Sequence, residues 1–421
     1  MSEIRKNVFN ILSGSMIGQL IIFAMTPMLT RSFTPEILGS YALFMSCYSF
    51  LAGIATLRFE VSIPYPKSAH MARRMSVLTL GCAFVFALMT LFVIVNVNLW
   101  GPVLIPSYFY ILPVAIVIIT FQVICQQWMA RKSEYARYSK GLVINSLVYM
   151  ATVFAFIFFG TPTIYTLVGG FILGLFISTL YMLGDDNVKI RKIFSYARHL
   201  ISYDKLSGLF RRHLDYPRYL LPSFALSMLA GNAPIFILNA FKSATEVGFF
   251  AVLLRLILTP SIIIGAAMSE ALKAEFFKRK RHKQSLMGLV LPILSWGTLL
   301  GIGGILFCYL WGSELALIIL GDKFKDAVYL ILPLSVVVFS FVIFQPFQIL
   351  YVVMDKKNLN FRVQFILAVI PNSILFGVSA LGYSLNIAIW SYALTLVPCV
   401  MVIMYKLYML LRSYDRNLMD A

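Results

Sequence analysis

The chain has 421 residues, of which 60% are hydrophobic and only 12% are charged, and its mean hydropathy is +0.86. Soluble domains carry about 25% charged residues, so these values exclude a soluble globular protein and predict a polytopic membrane protein. The net charge of +18 does not indicate nucleic-acid binding, because the basic residues stand in short segments between apolar runs, where Lys and Arg set the topology.

Charge-free intervals predict twelve transmembrane helices, because about 20 apolar residues cross a bilayer as one helix. Three intervals are long enough for two helices each and carry Gly or Pro turn residues between them. They are 75–130 with a turn at Gly101-Pro102, 141–184 with a turn at Gly160-Thr161-Pro162, and 363–405 with a turn near Gly382. Single spans are predicted near residues 8–30, 39–63, 219–241, 247–268, 285–310 and 327–354.

A basic linker divides the spans into two sets of six. Residues 1–184 are the predicted N-terminal six-helix half, 185–218 the basic cytoplasmic linker, 219–411 the C-terminal six-helix half and 412–421 a cytoplasmic tail. Apolar linker residues recur at helical spacing among Lys and Arg, which predicts an amphipathic helix on the inner membrane face. They are Ile190, Ile193, Phe194, Ala197, Leu200 and Ile201. A basic tether without a specific role is the alternative.

The distribution of basic residues predicts the orientation of the chain in the membrane. All but six of the 35 Lys and Arg residues stand at the two termini or in the loops on the same side, and the positive-inside rule assigns that side to the cytoplasm. The exceptions are Arg31, Lys242, Lys323 and Lys325 in the opposite loops, and Arg58 and Arg255 within spans. Both termini are therefore predicted in the cytoplasm.

The two halves share a sequence pattern at the outer start of one span each. Glu36-Ile-Leu-Gly39-Ser-Tyr-Ala42-Leu opens span two, and Glu246-Val-Gly248-Phe-Phe-Ala251-Val-Leu opens span eight, with the glycines 209 residues apart. Because each half has an even number of spans, both halves enter the membrane in the same orientation. The predicted fold class is therefore all-α, with about twelve transmembrane helices in two six-helix parallel-repeat halves around a central cavity.

Arg255 is the first candidate for binding a substrate. It lies about eight residues into the predicted span eight, roughly 12 Å below the outer boundary by helical rise. Arginine stays protonated in proteins, so this side chain needs an acidic partner, water or an anionic ligand. The alternative interpretation is a structural ion pair with Glu270 or another acid.

Four further polar residues are candidates for the same role. Arg58 stands near the inner end of span two, where a cavity-facing group, an interfacial anchor and a helix–helix pair are all open interpretations. Arg31 follows span one, either at the rim of an outer cavity or as an ordinary loop cation. Asn232 and Gln345 lie within spans and could bind sugar hydroxyls, although hydrogen bonds between helices are the commoner use of such residues.

No motif in the sequence predicts an enzyme. It lacks the nucleotide-binding pattern G-x-x-x-x-G-K-[ST], the patterns H-E-x-x-H and G-x-S-x-G, and any Cys or His cluster of metal-site spacing. No cofactor or metal is therefore predicted. The predicted outer loops are too short to hold the catalytic residues of a membrane polymerase or transferase.

Three stretches resemble a known family of exporters. They are N-I-L-S-G-S-x-I-G-Q-L from Asn10 to Leu20, T-P-E-x-x-G-x-Y-A from Thr34 to Ala42 and L-R-F-E-x-x-I-P from Leu57 to Pro64. Together with the two six-span halves and the basic loops, they resemble the Wzx-type O-antigen flippases of the multidrug/oligosaccharidyl-lipid/polysaccharide exporter superfamily. Drug exporters of the same superfamily share the overall design.

The resemblance implies a function and a set of partners. The substrate would be an undecaprenyl-pyrophosphate-linked oligosaccharide, moved across the bacterial inner membrane by alternating access during lipopolysaccharide biosynthesis, beside a polysaccharide polymerase and chain-length machinery. Arg255, with Arg58 and Arg31, would bind the pyrophosphate. The superfamily implies ion coupling, for which Glu60 and Glu270 are candidates at nearly repeat-equivalent inner ends of spans two and eight. A cation-coupled multidrug exporter is the main alternative, and a membrane-embedded polymerase or transferase is a further one.

Overall fold

The computed structural model describes residues 14–184 and 203–419, apart from positions 67, 103, 161, 283, 348, 349, 352, 353 and 355. Over these residues the chain is helical and contains no β-strand. Eleven helices in the described part are long and apolar enough to cross a membrane. The predicted all-α polytopic fold is confirmed. The start of span one lies outside the described residues, and its helical part covers residues 14–24 and Thr26–Ser32.

The remaining spans follow the predicted order along the chain. Spans two to six are Pro35–Ala55, Ala69–Trp100, Leu112–Lys132, Tyr135–Phe159 and Ile164–Leu183. Spans seven to twelve are Leu221–Phe241, Ala244–Arg281, Met287–Leu320, Ile331–Phe344, Lys357–Ala380 and Leu385–Met419. We call the end of a span that is nearest the loops with Arg73-Arg74, Arg131-Lys132 or Lys278 to Arg281 its basic end.

Local sequence signals account for several of the helix boundaries. The Ser68 side chain accepts a hydrogen bond from the Met71 amide and caps the start of span three. Thr163 and Thr166 form a reciprocal capping box at the start of span six. Gly382 has φ +79° in the turn between spans eleven and twelve, a conformation that glycine adopts without strain. The structure has a turn at each of the three positions predicted within the long charge-free intervals.

The chain separates into two compact units. The first contains residues 1–25 and 43–228, and the second contains residues 26–42 and 229–421. Spans two and seven are thus each divided between the units, so residues 35–42 of span two group with the C-terminal spans. The division of the chain into functional halves at the linker stays a prediction.

In the first unit, span four packs against spans three and six, and span five packs against span six. Its core at the basic end is dominated by aromatic, Met and Leu side chains, including Phe59, Met75 and Trp128. Two buried polar groups of this core pair with each other: the Trp128 indole nitrogen donates to the Ser76 hydroxyl at 3.0 Å. Pairing removes the cost of burying these groups in an apolar interior.

In the second unit, span ten is the central helix and packs against spans eight, nine and twelve, while span eleven packs against span twelve. The start of span nine is capped by a residue that is distant in sequence. The Asp415 carboxylate, on span twelve, accepts hydrogen bonds from the Leu286 and Met287 amides at 3.1 Å each. This carboxylate satisfies amides that an isolated helix start leaves without partners.

The linker is described only in its last part. The predicted amphipathic residues Ile190 to Ile201 lie outside the described residues. A short helix, Tyr203–Arg212, comes after them, and we call it the linker helix. Leu209 of this helix is buried, and the Phe210 ring packs edge-on against Phe59 with centroids 5.3 Å apart. The linker helix is therefore docked on the basic end of the first unit.

Candidate functional site

The starts of spans two and eight approach each other within the second unit at the two glycines of the predicted repeat. A methyl group added at Gly39 would lie 1.9 Å from the Ala244 carbonyl oxygen, and one added at Gly248 would lie 1.9 Å from the Pro35 carbonyl oxygen. Pro35 and Ala244 are also 209 residues apart. The contact is therefore reciprocal, as a two-fold repeat requires, and only glycine fits at either position.

Arg31 lies beside this glycine contact, at the opposite end from the basic loops. Its guanidinium Nη2 donates to the Ile318 carbonyl at 3.0 Å. Lys323 Nζ donates in turn to the Arg31 carbonyl at 2.7 Å. Among the described residues no carboxylate forms an ion pair with Arg31. Two basic side chains therefore join the end of span one to the end of span nine through carbonyl oxygens.

Arg255 lies deep in span eight. The helix begins at Ala244, so Arg255 is eleven residues in, about 16 Å along the axis. This is deeper than predicted, because the helix starts three residues before the predicted boundary. Half the hydrocarbon thickness of a bilayer is about 15 Å, which is comparable to this distance along the helix.

Among the described residues, the Arg255 guanidinium has no acidic partner. The side chain is half-buried. The side chain of Glu270, its predicted alternative partner, lies outside the described residues. Arg255 follows Gly248 by seven residues, so it lies two turns along the same helix face that meets span two.

The basic end of span two differs from the prediction. The α-helix ends at Ala55 rather than near residue 63. Leu57 and Arg58 have φ values of 50° and 65°, which costs non-glycine residues about 1 kcal/mol each or more. A short 3-10 segment, Phe59–Ser62, follows. Because neither residue is Gly or Asn, no local signal predicted this corner.

The corner brings Arg58 and Glu60 together. The Arg58 Nη1 and Glu60 Oε1 atoms are 3.0 Å apart, and the Glu60 side chain is only 5% exposed. Residues two apart do not share a face of an α-helix, so this ion pair depends on the segment not being α-helical. The second Glu60 oxygen is buried without a hydrogen-bond partner in the described structure.

Phe224 completes this cluster at the basic end of span two, which we call the Arg58 corner (Leu57 to Glu60 with Phe224). The Arg58 guanidinium carbon is 4.0 Å from the centroid of the Phe224 ring, a cation–π distance. The same ring lies against Gly53, where an added methyl group would be 2.7 Å away. The start of span seven is therefore tied to the end of span two. Sequence analysis missed Phe224, since one aromatic residue in an apolar span carries no signal.

The remaining predicted residues are less informative. Asn232 is half-buried within span seven. Gln345 begins a 3-10 segment, Gln345–Phe347, that interrupts the helical path after span ten, and its side chain lies outside the described residues. Over the described residues no group of three or more His, Cys, Asp or Glu side chains is arranged to hold a metal ion.

Comparisons with known proteins found solved structures of similar fold but no matching sequence family. No protein-family sequence model matches the chain, and no curated protein sequence matches it. One similar solved structure is the inward-facing conformation of a multidrug resistance MATE family transporter of the MOP superfamily. The TM-score is 0.67 at 16% identity, and the match covers 97% of this chain and 99% of that chain. The outward-facing conformation of such a transporter gives a TM-score of 0.60 and 14% identity, covering 99% and 97%.

The lipid II flippase MurJ, in an inward closed conformation, is also similar. Its TM-score is 0.71 at 9% identity, covering 98% of this chain and 90% of that chain. The chain therefore has the fold of MOP-superfamily transporters, as the resemblance of its sequence implied. Because a multidrug transporter and a lipid flippase share this fold, the fold alone does not select a substrate.

Proposed function

We propose that this protein is a flippase for undecaprenyl-pyrophosphate-linked oligosaccharide repeat units. It moves O-antigen or similar surface polysaccharide units from the cytoplasmic to the periplasmic leaflet of the bacterial inner membrane. The observation that carries the proposal is Arg255, a half-buried guanidinium about eleven residues into span eight with no acidic partner among the described residues.

The charge of Arg255 fits a pyrophosphate. An arginine at the centre of a membrane helix costs about 3 kcal/mol, so its retention needs a compensating gain. A pyrophosphate-linked sugar is anionic and strongly hydrated, and it cannot enter hydrocarbon unaided. Arginine can replace part of that hydration with two parallel hydrogen bonds to phosphate oxygens. Arg58 and Arg31 would assist near the two ends of the path, with Asn232 and Gln345 binding sugar hydroxyls.

The glycine contact fits alternating access. Gly39 and Gly248 meet through backbone atoms, so the contact can separate without leaving a charge uncompensated. We assign it to the periplasmic closure of the inward-open state. The orientation with both termini in the cytoplasm, and the association with a polymerase and chain-length machinery, belong to the same proposal.

The energy source we propose is a proton, carried by Glu60 or Glu270. Glu60 is buried and keeps one oxygen without a partner in the described structure, which leaves a place for a proton. The test compares Glu60→Gln, Glu270→Gln and the double variant for transport across an imposed pH gradient. A loss of the pH dependence is expected, and normal transport in the double variant contradicts proton coupling.

A cation-coupled multidrug exporter is the second candidate. The observation in its favour is the likeness in fold to MATE transporters over nearly the whole chain. Cationic drugs favour acidic groups in the binding cavity, whereas the deepest charge among the described residues is a guanidinium. This argument favours the flippase.

The deciding experiment is removal of the gene followed by mass spectrometry of extracted lipids. The flippase proposal predicts that complete lipid-linked repeat units accumulate and stay inaccessible to a membrane-impermeant sugar-oxidising label applied to spheroplasts. If the units remain accessible, the flippase proposal fails. If the lipids are unchanged and sensitivity to cationic drugs rises several-fold, the exporter proposal takes its place.

A further inference from the structure

An apolar groove runs along the membrane-facing side of the first unit near its basic end. Its cavity volume is about 620 Å³. Its walls are the end of span two, one face of span three and the linker helix. Every lining residue is apolar or weakly polar except Arg211 of the linker helix. We call this feature the span-three groove.

The span-three face of the groove is continuous. It runs from Leu78 through Gly81, Cys82, Val85 and Phe86 to Met89, which is the spacing of one stripe on an α-helix. Eleven residues of rise make the stripe about 16 Å long. One leaflet of a bilayer has a hydrocarbon thickness of about 15 Å. The groove therefore has the length of one lipid chain in the leaflet at the basic end.

The groove is open both at its floor and at its side. No atom of the described residues lies within 4 Å of the position that a Cβ at Gly81 would occupy, so the described part of the chain does not fill the floor. Val85 and Met89 are 57% and 59% exposed in the middle of an apolar transmembrane helix. Such side chains face the hydrocarbon, so the groove opens sideways to membrane lipid.

Charge selects the kind of lipid. Arg211 is exposed at the basic end of the groove, and no acidic residue of the described chain forms an ion pair with it. Arg212 and Arg218 are exposed close by in sequence. A guanidinium at the membrane surface attracts anionic head groups and pairs well with phosphate.

We propose that the span-three groove binds one anionic phospholipid of the adjacent leaflet. One hydrocarbon chain lies along Leu78 to Met89, and the phosphate pairs with Arg211. The bound lipid fills the space between span three and the linker helix, and so holds the linker helix on the first unit. This inference goes beyond the proposed function, since it applies equally to a flippase and to a drug exporter.

The test is native mass spectrometry of the full-length protein in detergent, titrated with phosphatidylglycerol and, separately, with zwitterionic phosphatidylcholine. The unsubstituted protein is expected to retain one phosphatidylglycerol at low lipid concentration. Gly81→Phe fills the groove and is expected to abolish this binding. The matched control is Gly169→Phe on span six, where an added Cβ also meets no atom within 4 Å, and it is expected to bind normally.

The head-group arm uses Arg211→Gln, with Arg412→Gln as its control, because Arg412 is an exposed arginine on span twelve and does not line the groove. Arg211→Gln is expected to weaken phosphatidylglycerol about five-fold, the effect of one basic residue near a membrane surface, with little change for phosphatidylcholine. Val85→Trp, at an exposed position, replaces Gly81→Phe if that variant does not fold. Equal binding by the groove-filled and control variants overturns the proposal. So does preferential displacement of phosphatidylglycerol by an equal concentration of undecaprenyl phosphate, which would assign the groove to a prenyl tail.

Discussion

The two ends of span two are built in opposite ways. At one end, Gly39 meets Gly248 through backbone atoms in a reciprocal contact within the second unit. At the other end, in the first unit, the helix breaks at a strained corner where Arg58 pairs with Glu60 and lies on Phe224. Backbone packing can separate without exposing charge, whereas breaking the corner leaves a buried carboxylate uncompensated. We therefore expect that the contact between Gly39 and Gly248 separates during transport and that the Arg58 corner stays intact.

The largest effect on transport is expected at the contact between Gly39 and Gly248. Gly39→Val forces side-chain atoms onto the Ala244 carbonyl, where the first added carbon already lies 1.9 Å away. Because backbone cannot yield as a flexible side chain would, we expect transport to fall more than ten-fold. Gly377→Val is the matched control, since an added Cβ there meets no atom within 4 Å. Equal transport by the two variants, measured as the appearance of label-accessible lipid-linked sugar, contradicts a role for this contact.

A smaller effect, on stability, is expected at the corner. Glu60→Ala leaves the Arg58 charge without its partner and is expected to cost about 2 kcal/mol, measured by chemical unfolding in detergent. Glu134→Ala is the control. Its carboxylate lies 3.6 Å from Lys132 and is 36% exposed, so its loss is expected to cost about 0.5 kcal/mol or less. If both variants unfold alike, the Arg58 corner does not stabilise the basic end of span two.

The smallest effect is expected at Phe224. Phe224→Leu keeps most of the apolar contact with Gly53 and removes the ring under Arg58, so stability is expected to fall by about 1 kcal/mol. Transport is expected to continue, because the corner is fixed and not moving. The same substitution in an Arg58→Met background is expected to have a smaller effect. An unchanged effect in that background would show that the cation–π contact contributes nothing.

The transmembrane helices of this fold and the turns between them could be predicted from the sequence. Charge-free intervals and the turn at Gly382 predicted the spans, because the bilayer imposes helix length and the turn residues carry local signals. The internal repeat aligned Gly39 with Gly248 in sequence, but only the structure shows that the two glycines are in contact.

The irregular parts depended on contacts between distant residues. The corner at Leu57 and Arg58 has no glycine to mark it, and its strain is balanced by Phe224, more than 160 positions later in the chain. The cap on span nine comes from Asp415 on span twelve. Local patterns cannot report such partners, so sequence analysis extended span two too far. The pair of Arg58 with Glu60 was missed because it forms only once the helix has ended.

The most direct test of the central claim uses Arg255. A strain lacking the gene is complemented with the unsubstituted protein, with Arg255→Ala, or with Arg412→Ala, whose arginine is exposed near the basic end of span twelve. The fraction of lipid-linked repeat units open to a membrane-impermeant label is measured at equal membrane abundance. We predict that Arg255→Ala leaves this fraction at the level of the deletion strain, while Arg412→Ala restores it. Full restoration by Arg255→Ala would contradict the account of pyrophosphate binding in span eight.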